Sequence, residues 1–163
     1  MGEKKLSHYF SLALVIFSGS VLLGWLTGEF VDFRMEYCVP NESFSNVNTF
    51  IEILTNNSKV LLILASGLIL FRIPTVLNLI VNGGILGLVM NGLKSDHLLS
   101  THILSLLAHG IVEILAFLLV AMIALAGIPY IKKNRGVSLL FVMASVVLLV
   151  VAAFIETFVS VKI

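Results

Sequence analysis

The run LLSTHILSLLAHGIVEILAFLLVAMIALAGIPY, residues 98–130, decides the fold. It is longer than the roughly 20 apolar residues that a helix needs to cross a bilayer. It carries one carboxylate, Glu113, four residues after His109. Residues at i and i+4 share a helix face, so these two side chains point the same way. Ser105 and His102 fall on nearly the same stripe, one and two turns earlier. An imidazole and a carboxylate directed together into hydrocarbon need polar partners, and the rest of the chain has to supply them.

Outward from this helix the composition sets the class. The chain is 59% hydrophobic and 12% charged, with a mean hydropathy of +1.11. A soluble domain has about a quarter of its residues charged, so these values describe a multi-pass membrane protein. The expected fold is all-α, a polytopic bundle of about five hydrophobic segments in a single membrane domain over 1–163. The net charge of +1 gives no case for nucleic acid. Cys38 is the only cysteine, so an intrachain disulfide is impossible.

A first span is expected over 9–28, after Lys4 and Lys5, with small residues at SGS and LGWLTG suited to close helix packing. Residues 29–59 form a polar, acidic segment. Within it Phe44, Val47, Phe50, Ile51 and Leu54 recur at helical spacing. That pattern predicts an amphipathic helix at the membrane surface, ending at Asn56-Asn57-Ser58. A short pair of apolar runs occupies 60–91. The first, Val60–Phe71, covers only about 18 Å as a helix, against the ~30 Å of a hydrocarbon core. The pair is therefore either two spans lengthened by polar flanks or a re-entrant hairpin. The long helix follows over 98–131, then the turn Lys132-Lys133-Asn134-Arg135, then a last span over 136–161 holding Glu156.

Lysine and arginine concentrate on the cytoplasmic side of membrane proteins. That rule puts the N-terminus and the 132–135 turn inside, the acidic segment outside, and the C-terminus outside. Arg72 lies near the cytoplasmic turn if both short runs cross. His109 and Glu156 then reach similar depth in the outer half, with Glu113 one turn from His109. Asn82 sits nearer the middle, and Asn56 and Asn57 at the outer surface. One site collecting them has three readings: a hydrogen-bonded network that fixes packing, a transport or proton-handling site, or a metal or hydrolytic site. His102, His109, Glu113 and Glu156 are chemically acceptable ligands for a divalent metal such as zinc, although H-x-x-x-E is not the H-E-x-x-H protease motif. Gly83, Gly84 and Gly87 read as packing positions rather than a nucleotide loop, since no strand precedes them. Asn41-Glu-Ser43 and Asn56-Asn-Ser58 match the glycosylation pattern.

Four elements occur in order: Asn56-Asn57 before a span, N-x-x-x-N-G-x-x-x-G over 78–87, H-G-x-x-E over 109–113, and A-x-x-I-E over 152–156. The series resembles the stage II sporulation protein M family of integral membrane proteins, from Asn56 to the C-terminus. The family pattern falls on Asn57, Asn82, Gly83, His109, Gly110, Glu113 and Glu156. The resemblance implies a membrane component of an envelope complex, acting beside partners that remodel septal peptidoglycan or in circular bacteriocin production and export. The alternatives are a membrane-embedded site that matures or cleaves a peptide, with or without a metal, and a transporter subunit served by a separate ATPase. Expected partners are the membrane, other membrane proteins and a second copy of the chain. Phe71-Arg72-Ile73-Pro74 departs from the family, where a glycine-rich turn is expected before the proline.

Overall fold

The computed structural model describes residues 3–31, 47–95 and 99–159, with side-chain surroundings for 6–31, 47–94 and 108–159. Cys38, Asn41, His97 and the side chains of His102 and Ser105 lie outside the described residues. The chain forms α1 (Glu3–Phe30), α2 (Val47–Ser66), α3 (Ile73–Ser95), α4 (Leu99–Ala126), the short α5 (Ile128–Lys133) and α6 (Arg135–Phe158). No strand occurs among the described residues. Four segments are long and apolar enough to cross a membrane: Leu6–Phe30, Ile73–Lys94, Ala108–Ala126 and Arg135–Phe158. Their outward faces carry Leu22, Leu23, Val81, Leu139 and Val147, all exposed, as a lipid-facing surface requires.

Helix α4 is the centre of the bundle. It packs on each of the other five helices. From Ala116 to Gly127 every residue except the half-exposed Leu119 is buried. Phe117, Val120, Ala121 and Leu125 meet Ala13 and Phe17 of α1, Leu64 of α2, Leu79 of α3 and Leu149 of α6. Gly127 ends α4 with φ +83°, a left-handed value that glycine adopts without steric cost. Pro129 then opens α5.

Helices α1 and α3 run parallel and lie very close. A Cβ on Gly24 would collide with the carbonyl of Gly84, and one on Gly87 with the carbonyl of Val21. Small residues at such spacing let membrane helices approach to backbone contact. At the far end of this seam Lys94 pairs with Glu29 at 3.7 Å and sits 5.1 Å from the centre of the Trp25 ring.

The amphipathic segment and the first short run are not separate elements. Helix α2 is continuous from Val47 to Ser66 and packs on α3, α4 and α6 rather than lying apart on a surface. Twenty residues of helix span about 30 Å, so its length matches a bilayer core although its first half is polar. The second short run likewise extends to Ser95. The two helices join through a tight turn over 67–72. There Gly67 is pressed against Thr75, whose hydroxyl donates to the Leu64 carbonyl at 2.7 Å. Phe71 and Arg72 adopt φ 52° and 67°. The left-handed backbone is thus present at the position where glycine was expected, but non-glycine residues carry it.

This turn shares an end of the bundle with the start of α1 and the close of α4. The Arg72 guanidinium lies 5.8 Å from the Tyr9 ring centre and beside Gly127. The same end bears Lys132, Lys133 and Arg135. At the opposite end Phe50 of α2 meets Phe158 of α6, with ring centres 6.4 Å apart. Both members of the α2–α3 pair therefore run the length of the bundle, and of the two only α3 is among the four segments long and apolar enough to cross a membrane.

Candidate functional site

Three ionisable groups meet where α4 and α6 pack antiparallel near the Phe158 end. Helix α6 buries Ser145, Leu149, Ala152, Ala153 and Thr157. Ala152 and Ala153 have almost no exposed surface, and their small size allows α6 to approach α4 closely. The Ser145 and Thr157 hydroxyls donate to the carbonyls of Phe141 and Ala153, so they need no partner outside the helix. Glu156 lies four residues after Ala152 and seven after Leu149, which places it on this α4-facing stripe. It is close enough to interact electrostatically with His109 and with Glu113. All three side chains are half-buried.

Electrostatics explain why these groups belong together. A charged side chain at mid-bilayer costs about 2.5–3.5 kcal/mol on insertion scales. Glu156 stands two residues from the end of α6, and His109 ten residues into a 28-residue α4. Glu156 and His109 thus lie toward one end of their helices, where the cost is lower, whereas Glu113, fourteen residues into α4, stands at its middle and depends most on its neighbours. An imidazole beside two carboxylates offers one of them a compensating charge-assisted hydrogen bond. Such a set can hold a proton or anchor a polar segment of another chain.

The other expected residues fall elsewhere. Asn82 donates to the Asn78 carbonyl at 2.9 Å and to Asn78 Oδ1 at 3.0 Å, so its side chain is engaged within α3. Asn57 is not at the outer surface; it is buried near the middle of α2, while Asn56 is exposed. The polar triplet that reads as a helix end is carried straight through α2. Gly83 abuts the Phe17 carbonyl of α1, and Gly87 lies in the same seam. Gly110 is not a packing position: a Cβ there meets nothing within 4 Å. Among the described residues no group of three or more His, Cys, Asp or Glu is arranged to hold a metal ion; the His102 side chain lies outside them. Sequence reasoning missed Thr75 and Asn91. Asn91 lies four residues after Gly87 on the glycine stripe, a signal that was available; it is buried in α3 rather than opening a loop.

The arrangement defines a polytopic membrane protein: an all-helical bundle with glycine-packed and alanine-packed seams and a lateral His–Glu–Glu cluster. The chain belongs to the stage II sporulation protein M family, whose model matches residues 13–161. It is also similar to an uncharacterized protein of Methanocaldococcus jannaschii, 32% identical over 93% of each chain. No solved structure matches.

Proposed function

We propose that this protein is a non-enzymatic membrane component of a cell-envelope assembly, in which the His109–Glu113–Glu156 cluster receives a polar segment of a partner membrane protein. The observation that carries this reading is the cluster itself. It is a half-buried, titratable group on the flank of the bundle, whereas the four long apolar segments carry their other charged residues, Glu29, Lys94 and Arg135, at their ends. Ionisable residues inside spans mark functional surfaces because they are expensive to leave without one. Septal peptidoglycan remodelling and circular bacteriocin production or export are the two settings that family membership suggests.

Charge supports the orientation. Arg72, Lys132, Lys133 and Arg135 gather at one end, and Glu29, Glu52 and Lys94 at the other. The basic end faces the cytoplasm in this reading, which puts the N-terminus inside, the C-terminus outside and the cluster in the outer half.

The test is co-purification of membrane partners with wild-type protein and with His109→Gln, Glu113→Gln and Glu156→Gln, with each variant's membrane level measured in parallel. The expected result is loss of partner at unchanged membrane level. Retention of the partner with loss of biological activity would instead identify a site that acts on a peptide.

A further inference from the structure

Helices α1 and α6 both pack on α4 but have little contact with each other, and a cavity of about 730 Å³ lies between them at the basic end. Leu119 and Met122 of α4 form its floor, Phe10 of α1 one wall, and Leu140 and Phe141 of α6 the other. From Asn134 to Phe141 the cavity follows two turns of α6, about 10 Å along the membrane normal. Its character changes along that length. The inner part is aliphatic and aromatic, whereas Ser7, Tyr130 and Asn134 line the part nearest the end of the bundle. Next to Asn134 in the chain stand Lys132, Lys133 and Arg135, all exposed.

We propose that this groove binds one anionic membrane lipid, with the start of an acyl chain against Leu119 and Met122 and the phosphate among Lys132, Lys133 and Arg135. Three observations favour this occupant over a protein helix. The groove is about 10 Å long, whereas a spanning helix needs a seam near 30 Å. It is apolar inside and polar at its mouth, the gradient that a lipid presents at the headgroup boundary. Lys132, Lys133 and Arg135 adjoin Asn134 at the polar mouth while the described lining of the groove itself is uncharged, and basic pockets between transmembrane helices recognise acidic headgroups. The inference does not depend on which end faces the cytoplasm or on the role of the His109 cluster.

The experiment compares phosphatidylglycerol, phosphatidylcholine and glycerol phosphate as ligands for the full-length protein purified in zwitterionic detergent, read by native mass spectrometry and thermal shift. Phosphatidylglycerol is expected to bind at least tenfold tighter than phosphatidylcholine, and glycerol phosphate not to stabilise the protein. The triple variant K132Q/K133Q/R135Q is expected to abolish that preference. Leu140→Trp, at an exposed wall position, is expected to weaken binding of both lipids while leaving the lipid-free melting temperature unchanged. Lys94→Gln, at the opposite end, is expected to bind as wild type. Equal binding of the two lipids, equal stabilisation by glycerol phosphate, an unaffected triple variant, or a Lys94→Gln loss matching that of the triple variant would each overturn the proposal.

Discussion

The side-chain amide of Asn91 donates to the main-chain carbonyl of Trp25 at 3.1 Å, joining two parallel helices through residues 66 positions apart in the chain. Gly24, Gly83 and Gly87 let α1 and α3 approach to backbone contact, and a Cβ on Gly28 would strike the Asn91 side chain itself. In lipid, where no solvent replaces a lost bond, an unpaired carbonyl or amide is costly. The seam is therefore both sterically and chemically specific.

Gly87→Leu should separate α1 from α3. Its Cβ meets the Val21 carbonyl and the Trp25 amide, which are backbone atoms unable to swing aside. Overpacking of this kind costs about 3 kcal/mol. Gly110→Ala, which meets open space, is the matched control and should be neutral or slightly stabilising. Thermal unfolding in detergent distinguishes the two.

Thr75→Val preserves shape but removes the donor to Leu64 from a fully buried position. A buried acceptor that loses its partner costs about 1–3 kcal/mol. Gly67 already donates to that same carbonyl at 3.3 Å, so a loss near the low end is expected. Thr75→Ser keeps the hydroxyl and should retain most of the stability. Melting temperatures of the three proteins give the answer.

Phe71→Gly should be tolerated or mildly stabilising. The left-handed conformation costs a non-glycine residue roughly 1–2 kcal/mol, and glycine's extra unfolded-state entropy offsets about 0.5–1 kcal/mol of that gain. The Phe71 side chain is 88% exposed, so little packing is lost. Phe71→Val, with a β-branched side chain at positive φ, should destabilise. A lower melting temperature for Phe71→Gly than for Phe71→Val would contradict the strain assigned to this turn.

Single cysteines placed in a Cys38→Ser background should report topology. A membrane-impermeant thiol reagent added to intact cells should label Glu52→Cys and spare Lys133→Cys until the cells are opened, because the two positions lie at opposite ends of the bundle. Labelling of both in intact cells would contradict the proposed orientation.

Much of this fold is legible in the residues themselves. Most of the 98–130 run is the central helix, although Gly127 ends it after Ala126 and Ile128 begins a separate short helix, and His109 and Glu113, one turn apart, both interact with Glu156. The limits of α2 are not legible. Asn56, Asn57 and Ser58 look like a helix terminus because polar triplets usually solvate free backbone groups. Inside a bundle the helix bonds its own backbone, and the Asn57 side chain turns toward neighbouring helices that no local window contains. Asn82 shows the same limit in reverse. Its position on a motif suggested a shared site, but Asn78, one turn away, accepts from its amide nitrogen through both the main-chain carbonyl and the side-chain oxygen. Gly110 looks like the glycines of α3, yet only the path of a distant helix distinguishes a crowded glycine from an open one.

The parallel pairing of α1 with α3 has a consequence for biosynthesis. When α1 leaves the ribosome, its mate has not yet been made, and the intervening α2 travels in the opposite direction across the bilayer. The groove around Gly24 must therefore wait, filled by acyl chains or by an insertion factor, until residue 91 has been translated. A chain stalled before that point should present an orphan helix to the cell's membrane quality control.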